Sequence, residues 1–203
     1  MKLATAYATR LRRHYGPLVR AHGGTHRAVD WGSERGQETR FRVLLEPVNI
    51  LDGRILDVGC GVGHLVDYLR NRRFTGEYLG LDLVPEMVAA AQCRHRGWTF
   101  REGKIPDAVV DFKPDYVIGS GLFNIANQRT LEQTVAAMFG VAGRAVAFNS
   151  LSTWGDQPVR GEFRADPLRV IEFCRRLTRR VVLRHDYMPH DFTVYLYRED
   201  PAS

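Results

Sequence analysis

Acids and glycines stand in this chain at a spacing suited to holding a polar, nucleotide-like ligand. Asp57 is followed by a glycine at every second position, Gly59, Gly61 and Gly63, and a second acid, Asp82, ends the next apolar run. Glycine lets a backbone turn tightly and pass close to a ligand. A carboxylate at the end of the following strand is placed to accept hydrogen bonds from ribose hydroxyls. The flanking pattern supplies the frame: an apolar run from Ile55 to Val58 precedes the glycines, and Leu65, Val66 and Leu69 follow at helical spacing. Strand, glycine turn and helix together form the opening of a nucleotide-binding βαβ unit. The dinucleotide fingerprint would require glycine at position 64, where His64 stands, so nicotinamide chemistry ranks last.

The Asp57-x-Gly-x-Gly-x-Gly63 run, taken with Asp82, resembles the first two motifs of the class I S-adenosylmethionine-dependent methyltransferases. Leu83, Pro85, Glu86 and Met87 are similar to that family's continuation. The resemblance implies S-adenosyl-L-methionine as cofactor and assigns roles around it. Asp57 would order the methionine amino group, and the backbone of Gly59, Cys60 and Gly61 would lie against the methionine and ribose. Asp82 would take the ribose hydroxyls, Leu83 and Met87 would pack on adenine, and Lys104 and Ile105 would form the loop beside the adenine amino group. Ser120, after the fourth strand, would lie near the transferable methyl. The loop Gly119–Asn124 lacks the Pro-Pro-aromatic sequence of amino-methyltransferases of DNA and protein, and has Ser120 where metal-dependent relatives carry an acid. Both departures imply metal-independent, in-line transfer to a small-molecule O, N, S or C nucleophile. An RNA methyltransferase and a non-catalytic, S-adenosylmethionine-binding regulatory domain are the alternatives.

Acceptor-side candidates are fewer and less patterned. His64 and His190 are candidate general bases, with His185 and Asp191 behind them; a lone histidine is more often an ordinary packing residue. Phe123 and Asn124 would line an acceptor pocket, and Trp31 and Trp154 could stack on a flat or cationic acceptor. Arg40 is a candidate partner for the methionine carboxylate.

These residues need a scaffold, and the pattern provides one. Strand and helix signals alternate from Arg54 onward. Two β-rich runs close the chain, too near each other in sequence for a parallel crossover. The expected fold is α/β: a Rossmann-like, seven-stranded, mostly parallel, doubly wound sheet with an antiparallel last strand and an N-terminal helical lid. Residues 1–49 form the helical extension and residues 50–203 the methyltransferase domain. In the extension, Leu3, Tyr7, Leu11 and Tyr15 make a helical stripe, and Ser33 is a candidate N-cap for a second helix. Thr130 with Gln133 reads as a capping box, and strand five as Ala145–Phe148 with a long loop to Ala165.

Composition bounds the remainder. The 203 residues, 44% hydrophobic and 26% charged, suit one globular unit with a substantial core. No apolar run approaches the ~20 residues of a membrane span, and no secretory h-region opens the chain, so a cytoplasmic location is expected. Cys60, Cys93 and Cys174 offer neither a disulfide framework nor zinc-ligand spacing. The net charge of +6 comes from an arginine excess, which keeps nucleic acid behind a small molecule as partner. A homodimer is compatible with the sequence.

Overall fold

The computed structural model describes residues 2–23, 25, 28, 33–48, 52–156 and 161–198, with side chains from residue 7 onward. Two helices lead, α1 (Lys2–His22) and α2 (Glu34–Leu44). Ser33 caps α2 from an extended conformation, its Oγ accepting the Gly36 amide at 3.1 Å. The alternating part follows as β1 (Ile55–Val58), α3 (His64–Asn71), β2 (Tyr78–Asp82), α4 (Pro85–Arg94), β3 (Thr99–Glu102) and β4 (Tyr116–Gly119). It continues as α5 (Gln128–Val141), β5 (Ala145–Leu151), α6 (Pro167–Leu177), β6 (Val181–Arg184) and β7 (Asp191–Tyr197).

The described strands form one sheet in the order β3-β2-β1-β4-β5-β7-β6. Strands β1 to β5 pair in parallel, and β7 runs antiparallel between β5 and β6. Successive strand residues point to opposite faces, and the two apolar clusters divide on that period. Ile55, Ile118, Ala147 and Tyr195 meet α2, α3 and α4 on one face. Their chain neighbours Leu56, Val117, Val146 and Val194 meet α5 and α6 on the other. Strands β1, β2, β4, β5 and β7 are therefore buried on both sides, which is why their runs read as nearly continuous apolar stretches, while the edge strands β3 and β6 are partly exposed.

Two local expectations need correction. The cap of α5 is Asn127, whose Oδ1 accepts the Thr130 amide at 2.9 Å; Thr130 is already inside the helix. Asn127 has the extended backbone an N-cap needs, so the box read at Thr130 and Gln133 has no end to cap. Strand β5 runs three residues beyond Phe148, because Asn149, Ser150 and Leu151 pair with Thr193, Phe192 and Asp191 of β7.

Helix α1 lies over the carboxyl end of the sheet. Its Leu11, Tyr15 and Val19 pack on Val62, Val84 and Met87. Arg12 Nε donates to the Leu83 carbonyl at 3.2 Å, and the Tyr7 hydroxyl donates to the Leu122 carbonyl, also at 3.2 Å. Helix α2 shares its core with β1 and β7, and the Tyr195 hydroxyl donates to the Val43 carbonyl at 2.6 Å.

Candidate active site

Strand order reverses between β1 and β4, and a cavity of about 670 Å³ opens beyond the carboxyl ends of these strands. That is where open α/β sheets bind ligands, and the size falls within the ~300–1,000 Å³ of small-molecule sites. One wall is the glycine turn. Gly59 and Gly61 adopt φ of 70° and 55°, a region other residues rarely enter. The amides of Gly59 and Cys60 both donate to the Leu81 carbonyl, at 2.7 and 3.1 Å. A Cβ on Gly59 would come within 2.4 Å of the Leu122 side chain. Conformation and space thus both demand glycine there.

Asp82 holds two loops at once. Its Oδ2 accepts the Gly61 amide and its Oδ1 the Val84 amide, each at 2.9 Å. Burial raises its pKa, and the amides of Val84, Gly61 and Leu83 oppose the rise. Asp57 is more enclosed, at 4% exposure. Burial pushes its pKa up to about 7, against the hydrogen bond from the Tyr78 hydroxyl at 2.8 Å and helped by the charge of Asp82. Asn149, reaching from β5, braces the β4 loop: its Oδ1 accepts the Gly121 amide at 2.9 Å and its Nδ2 donates to Ser120 Oγ at 3.2 Å.

All ten residues expected at the cofactor line this one cavity: Asp57, Gly59, Cys60, Gly61, Asp82, Leu83, Met87, Lys104, Ile105 and Ser120. The acceptor-side expectations fare differently. His64 lines the cavity, with its Nδ1 3.2 Å from the Gln37 side-chain amide. Phe123 also reaches the lining, although only 2% exposed and packed edge-on against Phe148.

His190, Asn124 and Trp154 are not among the lining residues. His190 Nε2 faces the Arg40 guanidinium at 3.4 Å, and the Asn124 carbonyl accepts the Phe163 amide at 2.7 Å. Trp154 is half exposed and tilts over His185. Arg40 does not serve the cavity; it forms a buried ion pair with Asp191, which removes Asp191 as a base as well. His185 is bonded to Ser152 Oγ at 2.7 Å. Trp31 lies outside the described residues.

Sequence reasoning missed Tyr7, Arg10, Gln37, Arg129, Gln133 and Thr134, which complete the cavity from α1, α2 and α5. Tyr7 was visible only as part of an apolar stripe. Burial raises its hydroxyl pKa to about 12. Among the described residues no three His, Cys, Asp or Glu side chains gather into a metal-binding group. No described helix is long and apolar enough to cross a membrane.

Residues 55–143 match the family described as Methyltransferase domain. Rv1506c of Mycobacterium tuberculosis, whose name places it among the methyltransferases, is 35% identical over 150 residues, covering 69% of this chain and 90% of that protein. Two solved structures share the fold over nearly the whole chain. Magnesium protoporphyrin IX methyltransferase from Synechocystis PCC 6803, with bound S-adenosylhomocysteine, gives a TM-score of 0.68 at 14% identity, covering 97% of this chain and 100% of that one. The DhpI complex with S-adenosylhomocysteine gives 0.69 at 16% identity, covering 96% and 97%. Fold and cavity together define an α/β protein whose cavity lies at a βαβ glycine turn. The chain belongs to the class I S-adenosylmethionine-dependent methyltransferases, whose methyl donor is S-adenosylmethionine.

Proposed function

We propose that this enzyme methylates a small-molecule nucleophile by in-line displacement, without a metal ion. The observation that carries the reading is the closure of the cavity by α1, through the Tyr7–Leu122 hydrogen bond and the apolar seam of Leu11, Tyr15 and Val19. A covered pocket suits a small acceptor better than a polynucleotide. Several arginines are also committed: Arg12, Arg20, Arg54, Arg94, Arg101 and Arg144 are each paired with a carboxylate. On this reading residues 1–49 act as a lid over the domain formed by residues 50–203.

The residues present fit the donor. Gly59 and Gly61 give the cavity wall its positive-φ turn, Asp82 would offer its remaining lone pairs to the ribose, and Leu83 and Met87 would flank the adenine beside Lys104 and Ile105. Asp57, once ionised, pairs with the methionine ammonium. When bound, the donor supplies an activated sulfonium methyl. The protein aligns the nucleophile and excludes water, and a base is needed only for an acceptor that enters protonated. His64, held at its Nδ1 by the Gln37 side-chain amide, is assigned a positioning role.

The test is to incubate the enzyme with methyl-tritiated S-adenosylmethionine and, separately, a small-metabolite extract and total RNA. Label in a small organic product is expected. Label in RNA alone would overturn the small-molecule reading.

A further inference from the structure

The charges around the cavity are divided. The acids among its lining residues are Asp57 and Asp82, and both belong to the glycine-turn and β2 end. Two arginines line it as well, Arg10 from α1 and Arg129 from the first turn of α5. Both side chains are exposed, and neither meets a carboxylate among the described residues. The contact seen for Arg10 is with the ring of Tyr7, 5.4 Å from its centroid. Tyr7 in turn bonds to Leu122 of the β4 loop, so Arg10 is carried on the element that covers the acceptor side. Gln133 and Thr134 on α5 line the same cavity and add neutral hydrogen-bonding groups near Arg129.

A cation without a carboxylate partner that lines a cleft attracts the anions that enter it, and guanidinium groups match carboxylate and phosphate oxygens in geometry. We infer that Arg10 and Arg129 select an anionic acceptor, one that presents a carboxylate or a phosphate-type oxyanion to them from within the cavity. The inference rests on the small-molecule reading above and names its substrate class.

The test is a heteronuclear NMR titration of the ¹⁵N-labelled full chain saturated with S-adenosylhomocysteine. The probes are benzoate, phenylphosphonate and uncharged benzamide. Saturable shifts on α1 and α5 are expected with benzoate, with phenylphosphonate, or with both, and the preferred probe separates carboxylate from phosphate-type acceptors. Benzamide is expected to give none. The double variant Arg10→Gln/Arg129→Gln should weaken anion binding roughly tenfold or more. It should keep its affinity for S-adenosylhomocysteine, which also reports that it is folded. Equal binding of benzamide, anion binding unchanged in the variant, or no saturable shift with either anion would overturn the inference. So would loss of S-adenosylhomocysteine affinity in a folded variant, which would assign the arginines to the donor's carboxylate. Failure of the small-molecule reading is seen separately, as label entering RNA in the tritium assay.

Discussion

Asp57 carries the most consequential proton in the site. Burial holds its pKa at about 7, whereas the unfolded chain would ionise it near 3.8. The folded state therefore binds the extra proton, and the stability this group contributes is full below pH 3.8 and lost as pH rises through about 7. Unliganded Asp57→Asn protein should accordingly gain on the wild type in thermal stability as pH rises across that window. Donor binding runs the other way, because an ammonium partner requires the carboxylate. Affinity for S-adenosylhomocysteine should climb on the order of tenfold from mildly acidic to mildly alkaline pH, and Asp57→Asn should flatten the profile. Tyr78, Asp82 and Cys60 are the other titratable groups acting on Asp57 or its neighbours, and burial or mutual charge raises each of them too. At His64 the expectation is smaller. General bases contribute about 10²–10⁴-fold, so a His64→Ala enzyme that retains more than about a tenth of wild-type kcat would fit a positioning role, and a loss in the base range would contradict it.

Among the elements, α2 is tied to β7 by the pair Arg40–Asp191, with side chains 10% and 3% exposed. Removing one member of a buried pair leaves a desolvated charge, at a cost of about 3–5 kcal/mol. Arg40→Ala should lower urea stability by that order. The deficit should shrink at low pH, because a protonated Asp191 needs no cation; burial already raises its pKa despite Arg40. An equal deficit at every pH would argue that packing, not charge, was lost. This pair also shows where sequence reading stops. Asp57, the glycines and Asp82 were legible because a close backbone approach and a strand-end acid leave a local pattern within a single βαβ unit. Arg40, Asp191 and His190 looked like chemistry because their residue types are reactive, yet Arg40 meets His190 across 150 residues of chain and is neutralised by the adjoining Asp191. Conversely, Gln133 was read only as half of a capping box, and nothing in the sequence singled out Arg129. Nothing local distinguishes a polar face that fronts a cavity from one that fronts water, and the correct α5 cap at Asn127 was hidden for a similar reason, beside a second plausible capping residue.

At the scale of the whole molecule, two apolar layers fix seven strands so that β1 and β4 diverge at one point, and the chain's acids, glycines and cavity-facing cations collect there. The alternation that builds those layers was readable in the sequence. A covering of the site by the N-terminal helices was expected from the resemblance, as a lid, while the residues of α1 themselves showed only an amphipathic stripe. Helix α1 reached its place through residues far along the chain: Leu83, Leu122 and the α4 surface. The central claim is that this geometry binds the methyl donor through the glycine turn and Asp82, and isothermal titration with S-adenosylhomocysteine tests it most directly. One-to-one binding by the wild type, weakened at least tenfold in Asp82→Ala, which loses a charged hydrogen-bond acceptor worth about 1.5–3 kcal/mol per bond, is the predicted result. No heat of binding in the wild type, or equal affinity in a folded Asp82→Ala variant, would contradict it.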